Sequence, residues 1–170
     1  DARKAYSGDW KGYISKKRVS NPRVGNPEVG NPEVGNPVWE SISVDAACAG
    51  NPGIMEYRGV DTKTGAQLFH KGPFALGTNN IGEFLGIVHA LAYLDKKGSQ
   101  LPVYTDSMTA LKWVKDKAVK TKLPRNKKTE ELFDLIDRAI FWLNNHDYPN
   151  KIMKWETEKW GEIPADFGRK

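Results

Sequence analysis

The sequence is poor in the residues that build disulfides and nitrogen- or sulfur-ligated metal sites. Cys48 is the only cysteine among 170 residues, which excludes an intramolecular disulfide and favours a reducing compartment. The three histidines form no metal-ligand pair, since His89 falls within an amphipathic segment and His146 near the end of another. No apolar run reaches 18 residues and no secretory signal opens the chain, so we expect a soluble cytoplasmic protein without a membrane partner.

Charge and length set wide bounds on the partner and the architecture. The net charge is +5, from 26 basic and 21 acidic residues, which permits a polyanionic partner without requiring one. The length suits one ordinary domain, predicted over 39–170, plus a smaller N-terminal part. Between them, residues 19–38 read VSNPR, VGNPE, VGNPE and VGNPV. This repeat has no apolar face, so we expect a semi-extended linker, the alternative being a repetitive turn structure formed with a partner.

The globular part alternates between strand and helix patterns. Strands are predicted over 39–47, 54–62, 67–76, 101–105 and 152–155, with a turn at Thr64-Gly65. Helices are predicted over 80–96, 107–117 and 129–145, followed by a short tail helix that carries Asp166. Three antiparallel strands followed by two parallel ones predict an α/β fold, a mixed five-stranded sheet with helices on both faces.

Four carboxylates stand in separate and recognisable fragments. Asp45 lies in VDAACAGNPG, Glu83 in TNNIGEF, Asp106 at the end of VYTD and Asp166 at the end of WGEIPAD. Proteins usually gather acids around cations, because clustered carboxylates repel one another and are costly to bury. Oxygen ligands suit Mg²⁺ or Mn²⁺, and a two-metal site is a standard means of phosphodiester cleavage.

Each acid also has a simpler interpretation. Asp45 could cap the Gly-Asn-Pro-Gly turn, Asp106 could be the N-cap of the next helix, and Asp166 could be a surface residue. Glu83 could form a capping box with Asn80 as N-cap. These alternatives stay open for each acid taken alone.

The four fragments, in this order, resemble the ribonuclease H family, specifically the bacterial type 1 enzymes that carry an N-terminal hybrid-binding domain. The resemblance covers residues 39–170. Residues 5–10 also resemble the end of the last helix of the hybrid-binding domain, so 1–18 would be a remnant of that domain with a basic stretch. The resemblance implies a ribonuclease H-like fold and a monomeric endoribonuclease. Such an enzyme hydrolyses the RNA strand of RNA–DNA hybrids with two Mg²⁺ ions (Mn²⁺ substituting) and leaves 5′-phosphate and 3′-hydroxyl ends.

The resemblance also assigns roles to single residues. Asp45, Glu83, Asp106 and Asp166 would be the metal ligands, and Glu162 would assist metal exchange and product release, unless it is only a surface residue. The substrate contacts would comprise residues on the RNA strand and residues on the DNA strand: Gly50, Asn51 and Asn79 for the first, and Thr78, Asn80, Trp113, Thr121 and Thr157 for the second. Trp113 falls off the apolar stripe of its helix, so packing on a loop is the alternative.

Three positions depart from the family pattern. Met108 replaces a glutamine that touches RNA, Lys122 replaces a hydroxyl residue beside Thr121, and Cys48 replaces a serine. None of them removes a metal ligand. Two rival functions remain: an exonuclease or integrase on the same fold, against which Ala47 argues, and an inactive hybrid-binding module.

Overall fold

The computed structural model describes residues 35–168, so the predicted hybrid-binding remnant and the linker up to residue 34 lie outside the described residues. The strands are β1 (Ile42–Gly50), β2 (Gly53–Asp61), β3 (Gln67–Gly77), β4 (Val103–Thr105) and β5 (Ile152–Lys154). The helices are α1 (Asn79–Lys96), α2 (Met108–Asp116), α3 (Glu130–Asn145) and α4 (Thr157–Trp160). All are close to their predicted positions, except that β1 begins three residues later than expected and α4 ends well before Asp166.

The strands form one mixed sheet in the order β3-β2-β1-β4-β5. The first three strands pair antiparallel, whereas β4 pairs parallel with both β1 and β5. The predicted mixed five-stranded sheet is therefore confirmed. Among residues 35–168, no helix is both long and apolar enough to cross a membrane.

Helix α1 packs closely on β1 because two of its glycines face the strand. A Cβ at Gly82 would lie 2.6 Å from the Cβ of Ala46, and one at Gly86 would lie 3.3 Å from the Cβ of Val44. Side chains alternate along a strand, so Val44 and Ala46 point to α1 and Asp45 points to the opposite face. The main core lies on the α1 side and includes buried residues of α2 and α3.

A smaller core covers the opposite face of the sheet. Tyr104, Trp155 and Ile163 are its buried members, and Trp160 packs against them. Gly35 and Val38, which were predicted to belong to the linker, form hydrogen bonds with this cluster, and Pro37 between them is buried. The short helix α4 and the segment after it therefore cover the second face.

A histidine at the border of the main core is held without charge. The ring of His89 stacks on Phe69 with centroids 3.9 Å apart, and its Nδ1 lies 3.0 Å from the hydroxyl of Tyr57. Burial, with a smaller contribution from Lys71, lowers the pKa of His89 to about 4.

Candidate active site

The site forms where two neighbouring strands separate. Strand β1 pairs with β4 over two residues only, Ile42 with Val103 and Ser43 with Tyr104. Beyond this point the side chain of Glu83, from α1, lies between the strands. Its Oε2 accepts a hydrogen bond from the Ala46 N–H at 3.2 Å, and its Oε1 accepts one from the Thr105 hydroxyl at 3.4 Å. Because β4 diverges from β1, Glu83 replaces part of the strand ladder.

This gap also lets acids from both faces of the sheet meet. Asp45 points away from α1, whereas Glu83 approaches the sheet from α1. Both residues are buried, with Asp45 0% and Glu83 1% exposed. Asp106 follows β4 directly and is half-buried. One carboxylate oxygen from each of these three residues lies within 4.8 Å of the others. The structure therefore brings together three of the four predicted ligands, beside the middle of β1 and the carboxyl end of β4.

Three carboxylates at this separation favour a bound cation. Like charges in a buried site destabilise one another, and a divalent cation among them offsets that cost. Oxygen-only ligation suits Mg²⁺, Mn²⁺ or Ca²⁺. Two oxygens on opposite sides of one Mg²⁺ are about 4.2 Å apart, so a small movement of the side chains brings the three acids into range. The residues present therefore fit a divalent metal.

Asp166 lies on the same side of the sheet as Asp45 because Arg58 binds its segment. Arg58 is the antiparallel partner of Asp45, so the two side chains share one face. Its Nε donates to the Ala165 carbonyl at 2.9 Å, and its NH2 group donates to the Asp166 carbonyl at 2.7 Å. The guanidinium also lies 4.8 Å from the ring centroid of Phe167. Arg58 thus fixes the segment that carries Asp166 on the face where Asp45 lies.

The predicted tail helix is wrong for this segment. Helix α4 ends at Trp160, because Gly161 follows with a φ of 83°. Asp166 lies beyond the helix, where its Oδ2 accepts from the Gly168 N–H at 3.0 Å. Glu162 is exposed and is not related to Asp166 by a helical turn.

The capping alternatives for the first three acids do not hold. Helix α1 is capped by Thr78, whose hydroxyl accepts from the Ile81 N–H at 3.2 Å, and Asn80 lies inside the helix. Helix α2 is capped by Ser107, whose hydroxyl accepts from the Ala110 N–H at 3.0 Å. Asp45 lies inside β1 and not at the turn after it. These carboxylates are therefore not the helix or turn caps.

The residues predicted to contact RNA lie between β1 and the first turn of α1. Gly50 ends β1 with a φ of 94°, and a Cβ there would lie 3.1 Å from the Pro52 carbonyl oxygen. The side-chain carbonyl of Asn51 accepts from the Asn79 N–H at 3.0 Å. This hydrogen bond orients the Asn51 side-chain amide and uses its oxygen. The amide nitrogen therefore remains available as a donor. Thr78 and Asn80 lie at the same helix N-terminus, where backbone N–H groups favour phosphate.

Trp113 occupies a different environment from the one expected. It is 8% exposed, belongs to the main core, and meets Phe84 edge-to-face with ring centroids 6.4 Å apart. The expectation that it lies off the apolar side of its helix is therefore wrong. A contact with the DNA strand stays a prediction, as it does for Thr121 in the loop after α2 and for Thr157, the first residue of α4.

Sequence reasoning missed Arg58 and Thr105, both of which position acids of the site. Alternation along β2 and the pairing with β1 could have placed Arg58 opposite Asp45, but its carbonyl partners are 107 and 108 residues away. Cys48 lies with its Sγ 3.4 Å from the Gly77 carbonyl oxygen, and partial burial raises the pKa of its thiol.

Comparison with known proteins gives sequence matches over part of the chain. No protein-family model matches the chain. It is 35% identical over 85 residues to a ribonuclease H of Neorickettsia sennetsu, covering 45% of this chain and 56% of that protein. It is 41% identical over 63 residues to a ribonuclease H of Nitratidesulfovibrio vulgaris, covering 37% and 40%. The matches thus span about half the length of these curated relatives.

Solved structures are similar at a lower level. The ribonuclease H1 LC11, isolated from compost, has 21% identity and a TM-score of 0.46, over 71% of this chain and 87% of its own. The same protein in complex with an RNA/DNA hybrid has 21% identity and a TM-score of 0.44, over 72% and 88%.

Proposed function

We propose that the chain is a ribonuclease H: a metal-dependent endonuclease that hydrolyses the RNA strand of RNA–DNA hybrids. The observation that carries the proposal is the buried group of Asp45, Glu83 and Asp106 with oxygens within 4.8 Å. The two curated relatives, both named ribonuclease H, support the same activity. The finer assignment, a bacterial type 1 enzyme with an N-terminal hybrid-binding domain and a monomeric state, belongs to this proposal too.

The four acids are held in place in different ways. Glu83 is held by hydrogen bonds from both separating strands, so its carboxylate stays in place in the absence of metal. Asp45 and Asp106 would hold the first cation together with Glu83, and Asp166, whose backbone carbonyl accepts from Arg58, would provide a ligand for a second cation. When bound, two divalent cations would activate water, orient it and stabilise charge at phosphorus, which gives 5′-phosphate and 3′-hydroxyl ends.

The residues proposed to bind substrate would distinguish the RNA strand from the DNA strand by the hydrogen-bond donors that they offer. The amide nitrogen of Asn51 can donate to a 2′-hydroxyl, the group that only RNA carries. The N-terminus of α1, with Thr78 and Asn80, suits a phosphate of the DNA strand. Glu162 is exposed, which fits a residue that assists metal exchange and is not a permanent ligand.

The decisive experiment compares one ligand variant with a matched control. A hybrid with a labelled RNA strand is incubated with the full chain and Mg²⁺, beside an RNA duplex and a DNA duplex. Wild type should cut only the hybrid, and a chelator should stop the reaction. Asp106→Asn should bind the hybrid without cutting it, because a neutral amide is a poor ligand for a hard cation.

Asp116→Asn is the control, since this exposed acid on α2 pairs with Lys112 at 2.9 Å and lies outside the acid group. It should cleave at the wild-type rate. Binding of the hybrid without cleavage by wild type in Mg²⁺ or Mn²⁺ would favour an inactive binding module. Progressive shortening from one end would instead favour an exonuclease.

A further inference from the structure

The aromatic cluster on the second face of the sheet is a preformed surface. Tyr104, Trp155 and Trp160 meet edge-to-face, with ring centroids 4.8–5.8 Å apart. The Trp155 indole donates to the Gly161 carbonyl at 2.8 Å, which fixes the ring. Trp160 is only half-buried, so part of this surface faces outward.

A short piece of the repeat occupies this surface. The Trp160 indole N–H donates to the Gly35 carbonyl at 2.8 Å, and the Val38 N–H donates to the Tyr104 hydroxyl at 2.8 Å. Pro37 lies in sequence between the two residues that make these hydrogen bonds, and it is buried. Aromatic surfaces with an outward hydrogen-bond donor are a recurring means of binding proline-containing peptides.

These contacts use only features that the repeat units share. Both hydrogen bonds are made by backbone atoms, and the buried side chain is the proline. Asn36 is exposed, and Val38 is 45% exposed, so the side chain at the fifth position of the unit faces solvent. A glutamate can therefore replace Val38 without being buried.

The same tripeptide stands twice more in the sequence, at 25–27 and 30–32, each time followed by glutamate. We propose that the aromatic cluster is a binding site for an extended Gly-Asn-Pro peptide unit, and that the tandem units of this chain are interchangeable ligands for it. The unit at 35–37 occupies the site because it is nearer in sequence to β1, which begins at Ile42, than the other two units are. The ligand class is an extended, proline-containing segment recognised through its backbone.

The test removes residues 34–38 from the otherwise full chain, which places the unit at 29–33 directly before Trp39. The readout is the indole N–H signal of Trp160 in a ¹H–¹⁵N spectrum, assigned with Trp160→Phe, together with its protection from exchange. The shortened chain should keep the wild-type signal position and protection. Val38→Glu, which makes the last unit identical to the two before it, should also keep both.

Pro32→Ala supplies the matched control, because its role should depend on the register. Pro32→Ala should leave the Trp160 indole signal and its protection from exchange unchanged in the full chain, where Pro37 is bound. In the shortened chain it should abolish that protection. Loss of protection in Val38→Glu, or in a shortened chain that still melts cooperatively, would refute interchangeability. Silence of Pro32→Ala in both backgrounds would refute recognition of the proline.

Discussion

Replacing Gly82 by alanine tests whether close contact between α1 and β1 sets the geometry of the acid site. The added Cβ would lie 2.6 Å from the Cβ of Ala46 and 2.8 Å from the sulfur of Met55. Carbon atoms pack at about 3.5–4.0 Å, so the helix must move away by roughly 1 Å at this point. Glu83 is the next residue and would move with it.

The expected magnitude follows from two opposing effects. Overpacking a core costs about 1–3 kcal/mol, whereas glycine to alanine within a helix gains about 1 kcal/mol. The free energy of unfolding should therefore fall by about 0–2 kcal/mol. The hydrogen bonds of Glu83, at 3.2 and 3.4 Å, are already long and would break. A misplacement of about 1 Å can cost on the order of 100-fold in rate, and we expect a loss of that order in hybrid cleavage.

Gly86→Ala is the matched control, one helical turn away on the same face. Its Cβ would lie 3.3 Å from the Cβ of Val44, which requires a shift of only a few tenths of an ångström. Its stability should equal or exceed that of wild type, with cleavage retained. Urea unfolding and initial cleavage rates measure both quantities. Wild-type activity in Gly82→Ala, or equal damage in Gly86→Ala, would refute the proposed dependence on helix–strand contact.

Three further outcomes follow from the contacts described above. Because the folded protein holds the pKa of His89 at about 4 against 6.5 for the free group, the free energy of unfolding should fall as pH is lowered through that window; His89→Phe should flatten this slope in pH-dependent denaturation. Trp113→Ala should destabilise the fold by about 3–5 kcal/mol; a loss of hybrid affinity with unchanged stability would instead restore the DNA contact. Arg58→Met should lower kcat and raise the Mg²⁺ requirement with little change in KM, and Arg58→Lys should lose less; Arg125→Met, which removes an exposed pair with Asp137, is the control, and equal effects at both positions would remove Arg58 from its positioning role.

The sheet and the first three acids could be predicted because their signals are local. Alternation along β1 separates Val44 from Asp45, and helical spacing from Ile81 onward identifies α1. The cap of α1 was placed wrongly because Thr78 and Asn80 are both good N-cap residues two positions apart. In the structure it is the Thr78 hydroxyl that accepts the capping hydrogen bond, from the Ile81 N–H.

The errors at the end of the chain have a different physical origin. Gly161 and Pro164 are signals for a helix end and should have outweighed the helical reading of the tail. Trp113 was misplaced because a nine-residue helix packed beside α1 is covered on more than its apolar stripe. The partners of Arg58 and the docking of Pro37 join distant parts of the chain, which periodicity cannot detect.

The hydrogen bond between Ala46 and Glu83 makes the backbone itself a reporter of the site. The amide proton of Ala46 is protected by a side-chain carboxylate and not by a neighbouring strand. Its exchange rate therefore measures how firmly that carboxylate is held, one residue away from Asp45. Measuring the exchange of this one amide while metal is added would show whether cation binding closes the gap between β1 and β4 or leaves it unchanged.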